Sequence, residues 1–492
     1  MIAPLTYKDK EIVPCLVNGQ PAKLDESRVI EITSSAQGKI VGYAQSADVK
    51  TARAAVEATA RAFQSFSETT YEKKRELLNR AADELEARVE ILAQYQIAET
   101  SCPESFARFN ILEAAKHVRE IAASITIAAT GEIPPMEAVG PTCFVYKQPV
   151  GPVLGIVPWN GTVVLCARAL AAPLAAGCTF LLKASELSPR THYGVVEAFL
   201  AAGFPTGVIN QIQVRREDSV EVTEAIIAHP SIRKIEFIGS ATVGRAIGQT
   251  AGKYLKPVLM ELGGKGPAIV LKDADLRKAA MLSAQGALLH HGQICMSTER
   301  IIVEKAVADE FIIHLRDAVA SFNGNAGFAV TKAMAQKAQK LVQDATDHGA
   351  RLLIGGNKQR GDSGAALEPT FVTGVEADNP IYDLETFGPS ATVYIAEDEK
   401  DAIRIANDSS YGLTGAIHTR NILKGLRLAK QLEVGLVTLN SMTLLDQSSV
   451  PIGGVKGSGW GRSNSRYSVE EFLIVKSVVA IDPDDPVAWG SA

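Results

Sequence analysis

A chain of 492 residues is too long for one ordinary hydrophobic core and predicts two large lobes or about three domains. Its 46% hydrophobic and 21% charged residues supply sizeable buried cores and exclude a disordered chain. The 50 basic and 55 acidic residues are well mixed, giving a formal charge of -5 and no basic face to draw nucleic acid or an anionic membrane.

Met1 to Pro14 carries Lys8, Asp9, Lys10 and Glu11 where a signal peptide needs an apolar core, so export by that route is not supported and the chain reads as cytoplasmic. From about 49 to 128 it reads as a helical layer, with Lys50 to Phe63 Ala-rich and periodic and Lys73 to Ala98 repeating Leu, Ala and Ile at helical spacing. Thr142 to Gln148, and Phe472 to Ile481 at the far end, read as strands outside the main sheets. They suit an oligomerisation arm, because a two-stranded flap is marginal without a partner. Gln148 to Ala167 is uncharged, but Pro152, Pro158, Asn160 and three glycines break it as a membrane span.

Beyond Val150, short apolar runs alternate with segments long enough for crossover helices: Val153 to Val157, Cys178 to Leu182, Val208 to Ile212 and Ile235 to Ile238. This predicts a parallel, doubly wound sheet and hence a nucleotide-binding lobe. A second series over Pro267 to Val437, with runs at Ala268 to Leu271, Ile301 to Val303, Ala391 to Ile395 and Val434 to Leu439, predicts a second α/β lobe. The six cysteines, Cys15, Cys102, Cys143, Cys166, Cys178 and Cys295, have no paired spacing and no CxxC, which argues against a disulfide framework or a zinc site.

Three short segments carry chemistry. Cys295, in Gly292-Gln293-Ile294-Cys295, follows the helix-like run Ala279 to Leu289, where a ligand can reach a thiol; alone, such a cysteine is more often a buried structural one. Glu261, in Glu261-Leu262-Gly263-Gly264-Lys265, falls at the carboxyl end of an apolar run, where α/β folds put their sites and where a carboxylate can serve as a base for water; a solvated turn is the alternative. Asn160, in Pro158-Trp159-Asn160, can donate to a developing oxyanion or simply cap the next helix.

Together with Lys183-Ala184-Ser185-Glu186, Phe237-Ile238-Gly239-Ser240, Glu385-Thr386-Phe387-Gly388-Pro389 and Pro451-Ile452-Gly453-Gly454-Val455-Lys456, these segments resemble, in order and over essentially the whole chain, the motifs of the aldehyde dehydrogenase superfamily. The run Gln293 to Arg300 looks closest to the salicylaldehyde, vanillin and related aromatic aldehyde dehydrogenases. The resemblance implies two doubly wound α/β lobes with a small β oligomerisation arm. On that division, 1–128 and 150–260 form a Rossmann-like NAD-binding domain, 261–468 a catalytic domain, and 129–149 with 469–492 the arm of a homodimer or homotetramer.

It also implies roles for the site residues. Cys295 attacks the aldehyde carbon, Asn160 and the Cys295 N–H hold the oxyanion, hydride leaves to nicotinamide, and Glu261 activates water to hydrolyse the thioester. Trp159, Lys183, Glu186, Gly239, Ser240, Glu385 and Phe387 are the implied cofactor residues, with Lys183 and Glu186 on the adenosine ribose and Gly239-Ser240 opening a helix toward the pyrophosphate. A carboxylate at Glu186 repels a 2′-phosphate, which favours NAD while leaving NADP open.

Other features are weighed and set aside. Gly239 to Gly244 has P-loop glycine spacing, but Arg245 and Ala246 stand where Lys and Ser or Thr are required. Gly457 to Gly461 is one residue short of a dinucleotide fingerprint and reads as a loop, and His290-His291 as packed or solvated side chains. The family commonly has Phe where this chain has Ile452 and an aromatic where it has Gly161, departures that bear on the substrate. Arg168 lies in an otherwise apolar helical run on roughly the face of Asn160. Two expectations stand: a contact with an ortho-hydroxyl or carboxylate of an aromatic aldehyde, or an internal salt bridge. Rival functions are acyl transfer to coenzyme A and a non-catalytic protein that retains the fold.

Overall fold

The computed structural model describes residues 5–8, 10–137, 140–322 and 325–484. Four helices, Val49–Phe66, Tyr71–Ala87, Val89–Thr100 and Glu104–Ala129, form the N-terminal layer expected from the 3.6-residue period. Asp48 and Thr70 cap the first two by accepting from Thr51 and Lys73 N–H groups. The helix Glu104–Ala129 buries Ala107, Ile111, Ala114, Ala115, Val118, Ile121 and Ala122 in the largest apolar core.

The first lobe is an eight-stranded sheet whose central strands, Val258–Glu261, Lys234–Ile238, Val153–Ile156, Phe180–Ala184 and Ile209–Gln213, lie side by side in that order and are all parallel. Numbered along the chain, this is 5-4-1-2-3, so the order reverses between Val153–Ile156 and Lys234–Ile238. Ligands of open α/β sheets bind beyond the carboxyl ends at such a switch point. Pro158-Trp159-Asn160 and Gly239-Ser240 emerge there.

The second lobe is a seven-stranded sheet, parallel through Thr370–Thr373, Ser390–Ala396, Thr298–Glu304, Gly266–Val270, Thr414–His418 and Leu436–Leu439, with Arg351–Ile354 antiparallel on one edge. Glu261 ends a strand of the first sheet, while Cys295 and Glu385 precede strands of the second. The candidate site therefore lies between the carboxyl edge of one sheet and the amino edge of the other.

Two differences from the sequence expectations have physical causes. Gly459–Trp460 is not a loop but an edge strand pairing antiparallel with Met260 and Glu261, fixed by Ser458, whose hydroxyl donates to the Gly263 carbonyl at 2.7 Å and accepts from Gly412 N–H at 2.9 Å. A separate N-terminal sheet, Leu5–Tyr7, Lys10–Val13, Lys39–Gln45 and Val29–Ser34, carries too many polar residues for an apolar run to reveal it. The two expected arm strands do pair, Thr142–Pro149 with Leu473–Ala480, antiparallel throughout. Residues 138–139 and 485–492 of the expected arm lie outside the described residues. Among the described residues no helix is long and apolar enough to cross a membrane.

Candidate active site

The helix Leu276–Leu288 ends in a turn through His290 and His291, both in the left-handed region at φ 50° and 61°, before the chain reaches Cys295. Gly292 continues the turn at φ 71°, and a Cβ there would collide with the Gly388 carbonyl. Gln293 then pins the loop: its side chain accepts from Val330 N–H at 2.9 Å and donates to the Phe328 carbonyl at 3.0 Å. Its backbone carbonyl accepts from Asn160 Nδ2 at 3.0 Å, so one N–H of the Asn160 carboxamide orients the cysteine loop. His290 and His291 are packed groups: burial pushes them down to about 3 and about 4, and His290 stacks on Phe106 at 4.5 Å.

Cys295 Sγ lies 3.8 Å from Glu261 Oε1. Burial pushes this thiol well above its ordinary value, the Glu261 and Glu385 carboxylates push the same way, and Arg168 opposes them. The resting group is a thiol that needs a base. The glycine pair after Glu261 is dictated by crowding: a Cβ on Gly264 would stand 2.5 Å from the Cys295 carbonyl, and one on Gly263 2.5 Å from the Glu385 carboxylate.

Arg168 does not reach into the substrate space. Its side chain is 1% exposed and forms an internal pair, Nη2 to Glu261 Oε2 at 2.6 Å and Nη1 to Asp446 Oδ2 at 3.1 Å. Of the two expectations, the salt bridge is the one realised, because two carboxylates from distant segments satisfy the guanidinium fork. Asp446 carried no signal in the sequence. Burial pushes its carboxyl up, but Arg168 and His117 outweigh that and hold it below its ordinary value.

A cavity of about 150 Å³ opens onto Cys295, Asn160 and Glu261. Its walls are mostly apolar, including Phe106, Phe109, Val164, Leu165, Ile294 and Leu444, and Gly161 leaves room where a larger side chain would intrude. That volume is on the order of the roughly 150 Å³ apolar cavity that admits a benzene ring.

None of the expected cofactor residues lines that cavity: Trp159, Lys183, Glu186, Gly239 and Ser240 stand at or just beyond the carboxyl ends of the first lobe's parallel strands, and Glu385 and Phe387 precede the strand Ser390–Ala396. Ser240 caps the helix Ala241–Lys253 by accepting from Val243 N–H, which leaves the first-turn N–H groups facing the switch point. Lys183 ends the strand Phe180–Ala184 and is buried; burial pushes its ammonium down and Glu186 opposes. Among the described residues its Nζ has no hydrogen-bond partner. Glu385 accepts from Gly264 N–H at 3.0 Å, and burial, then the Glu299 charge, push it up to about 8. Trp159 and Phe387 meet edge to face at 6.0 Å.

Glu299 was missed as a functional residue. It is buried, holds Lys265 Nζ at 2.5 Å and accepts from Thr386 and Phe387 N–H groups, clamping Phe387 at a left-handed φ of 52°. The only signal was an acidic residue inside an apolar strand, which needs a partner.

The sequence model of the aldehyde dehydrogenase family matches residues 23–478. A vanillin dehydrogenase of Pseudomonas fluorescens is 39% identical over 474 residues, covering 95% of this chain and 97% of that protein. The crystal structure of a salicylaldehyde dehydrogenase from Pseudomonas putida G7, complexed with salicylaldehyde, superposes with a TM-score of 0.92 at 34% identity, covering 97% of this chain and 100% of that one. Betaine aldehyde dehydrogenase from Staphylococcus aureus in complex with NAD+ gives a TM-score of 0.92 at 28% identity, covering 97% of each chain. The chain belongs to the aldehyde dehydrogenase family and is an oxidoreductase acting on aldehydes.

Proposed function

We propose that the protein oxidises an aromatic aldehyde to its carboxylic acid with NAD, through a thioester on Cys295. The observation that carries this reading is the Cys295 to Glu261 approach of 3.8 Å at the mouth of an apolar, ring-sized cavity. Glu261 takes the proton of the thiol and Sγ adds to the carbonyl carbon. The Asn160 amide N–H not engaged by Gln293, with the Cys295 backbone N–H, receives the oxyanion. NAD, when bound, supplies the hydride acceptor that lets the thiohemiacetal become a thioester. Glu261 gives that proton to solvent, then takes one from the water that attacks the thioester; the acid leaves and the departing Cys295 sulfur recovers a proton from Glu261.

The expected residues fit that cofactor: Lys183 and Glu186 for ribose hydroxyls, the helix opened by Gly239-Ser240 for the pyrophosphate, and Glu385, Phe387 and Trp159 for the nicotinamide end. Aromatic substrates are supported by the cavity and by the names of the similar dehydrogenases of vanillin and salicylaldehyde. The exposed flap Thr142–Pro149 with Leu473–Ala480 supports a homo-oligomer. Mixing the protein with NAD, benzaldehyde and related aldehydes, with and without coenzyme A, tests the reading. NADH and free acid without coenzyme A are expected; NADH only with coenzyme A, or none with any aldehyde despite NAD binding, contradicts it.

A further inference from the structure

We propose that the second lobe carries a binding site for a phosphate group, free or at the end of a small ester, in the crevice formed by Lys278, His418 and Arg420. The site is separate from the cavity over Cys295 and does not depend on the reaction there.

The parallel strands of this lobe, numbered along the chain from Gly266–Val270 to Leu436–Leu439, lie side by side in the order 3-4-2-1-5-6. The order reverses between Gly266–Val270 and Thr414–His418. The helices that follow these two strands, Leu276–Leu288 and Ile422–Ala429, pack into separate cores on opposite faces of the sheet. A crevice therefore opens beyond the carboxyl ends, where open α/β sheets bind their ligands. Cys295 lies at the amino edge, so the reaction leaves this crevice unused. It holds a cavity of about 170 Å³, bordered by Asp275, Lys278, His418, Thr419, Arg420 and Asn440. That is below the roughly 300–1,000 Å³ of sites for drug-sized molecules, which restricts the ligand to a small one.

Part of the wall is locked. Thr419 N–H donates to Asn440 Oδ1 and Asn440 Nδ2 to the Thr419 carbonyl, both at 2.9 Å, while Thr419 Oγ1 donates to Asp273 Oδ2 at 2.8 Å. These groups spend their hydrogen bonds on one another. His418 does not: it is 2% exposed, borders the cavity, and among the described residues its ring nitrogens have no hydrogen-bond partner. A buried imidazole in that state calls for a ligand. Lys278, exposed at the rim, likewise has no hydrogen-bonded or ion-paired partner for its Nζ among the described residues. Arg420 Nη2 stands 3.6 Å from Asp275 Oδ2, beyond hydrogen-bond length.

The charges select an anion. Lys278 and Arg420 outweigh Asp275 around the cavity, and nearby Asp273 is committed to Thr419 and Asn421. Burial, then the Lys278 ammonium, push His418 down to about 4, leaving a neutral ring with one N–H to give. An oxyanion can accept from all three side chains, and a dianion gains most against two full positive charges. The N-terminus of the helix Leu276–Leu288 borders the same cavity through Asp275 and Lys278, and its dipole favours the same sign.

The test is a calorimetric titration of the intact, NAD-saturated protein with inorganic phosphate at low salt. NAD covers the helix end at Gly239-Ser240, the other place suited to phosphate. Saturable binding of one phosphate per chain is expected. Lys278→Gln and Arg420→Gln should each weaken it by about tenfold or more, as for one lost hydrogen bond to a charged group. Both side chains are exposed, so these variants keep the fold even where His418→Leu, which should also weaken binding, does not. Acetate, with a single charge, should bind at least about tenfold more weakly than phosphate. Glycerophosphate separates the two sources: binding tighter than that of inorganic phosphate assigns the site to an ester, and equal or weaker binding to free phosphate. No saturable binding at millimolar phosphate, an unchanged affinity in both exposed variants, or acetate bound as tightly as phosphate overturns the site.

Discussion

Arg168 Nη2 donates to Glu261 Oε2 at 2.6 Å while the other oxygen of that carboxylate, Oε1, faces Cys295 Sγ at 3.8 Å. One buried arginine thus fixes the carboxylate that stands beside the thiol. Removing one partner of a buried charge network costs about 3–5 kcal/mol, because the remaining charges stay buried without compensation. Arg168→Leu strands both Glu261 and Asp446 and should lower the urea midpoint correspondingly; Arg168→Lys should recover only part, since an ammonium lacks the two-pronged geometry. Equilibrium unfolding followed by circular dichroism checks this, and an unchanged midpoint in Arg168→Leu contradicts it.

The thiol should titrate late. With the Cys295 pKa raised by burial and by Glu261 and Glu385, the thiolate fraction is small at neutral pH. Alkylation of Cys295 by iodoacetamide should therefore keep accelerating as pH rises past the ordinary thiol range. Glu261→Gln removes a carboxylate that raises the pKa and leaves Arg168, which lowers it, so the profile should move to lower pH. A plateau near neutrality in the intact protein, or no shift in the variant, contradicts the electrostatics described.

Asn160 donates one N–H to the Gln293 carbonyl, and the proposed mechanism gives the other to the oxyanion. Asn160→Ala should cut kcat by about 10²–10³, the usual effect of losing one oxyanion donor. Steady-state kinetics with benzaldehyde measures it. A change confined to KM would show that the residue only shapes the loop.

How far these features could be read from the sequence depended on whether they were local. The strands Val153–Ile156, Phe180–Ala184, Ile209–Gln213 and Lys234–Ile238 were legible within a residue or two, because buried parallel strands are continuous apolar runs bounded by breakers. Asn160 and Glu261 were legible as residues at strand ends. The partner of Arg168 was not: helical spacing gives a face, whereas Asp446 lies 278 residues away and only the fold brings it near. His117 sits in a helix rich in buried alanine and isoleucine, and nothing in the sequence singled it out. The clamp of Glu299 on Thr386 and Phe387 likewise spans distant segments, joining two strand openings of the second sheet.

Cofactor choice should rest on Glu186. A carboxylate near the adenosine ribose disfavours a 2′-phosphate, and Glu186 is the charged neighbour of the buried Lys183. Glu186→Ser should raise the ratio of NADP to NAD kcat/KM by about tenfold or more, since one like-charge contact in a partly buried site is worth at least the 1.4 kcal/mol of a tenfold change. An unaltered ratio would place the discrimination elsewhere.

The central claim is that Cys295 carries the acyl group and Glu261 releases it through water. Mixing Glu261→Gln with NAD and benzaldehyde, then recording NADH by rapid absorbance and the intact mass of the protein, tests it most directly. At a pH above the ordinary thiol range, where Cys295 ionises without Glu261, the account predicts a burst of NADH close to the enzyme concentration, little further turnover, and a benzoyl adduct that peptide mapping assigns to Cys295. Steady turnover at the rate of the intact protein with no adduct, or an adduct on another residue, would contradict it.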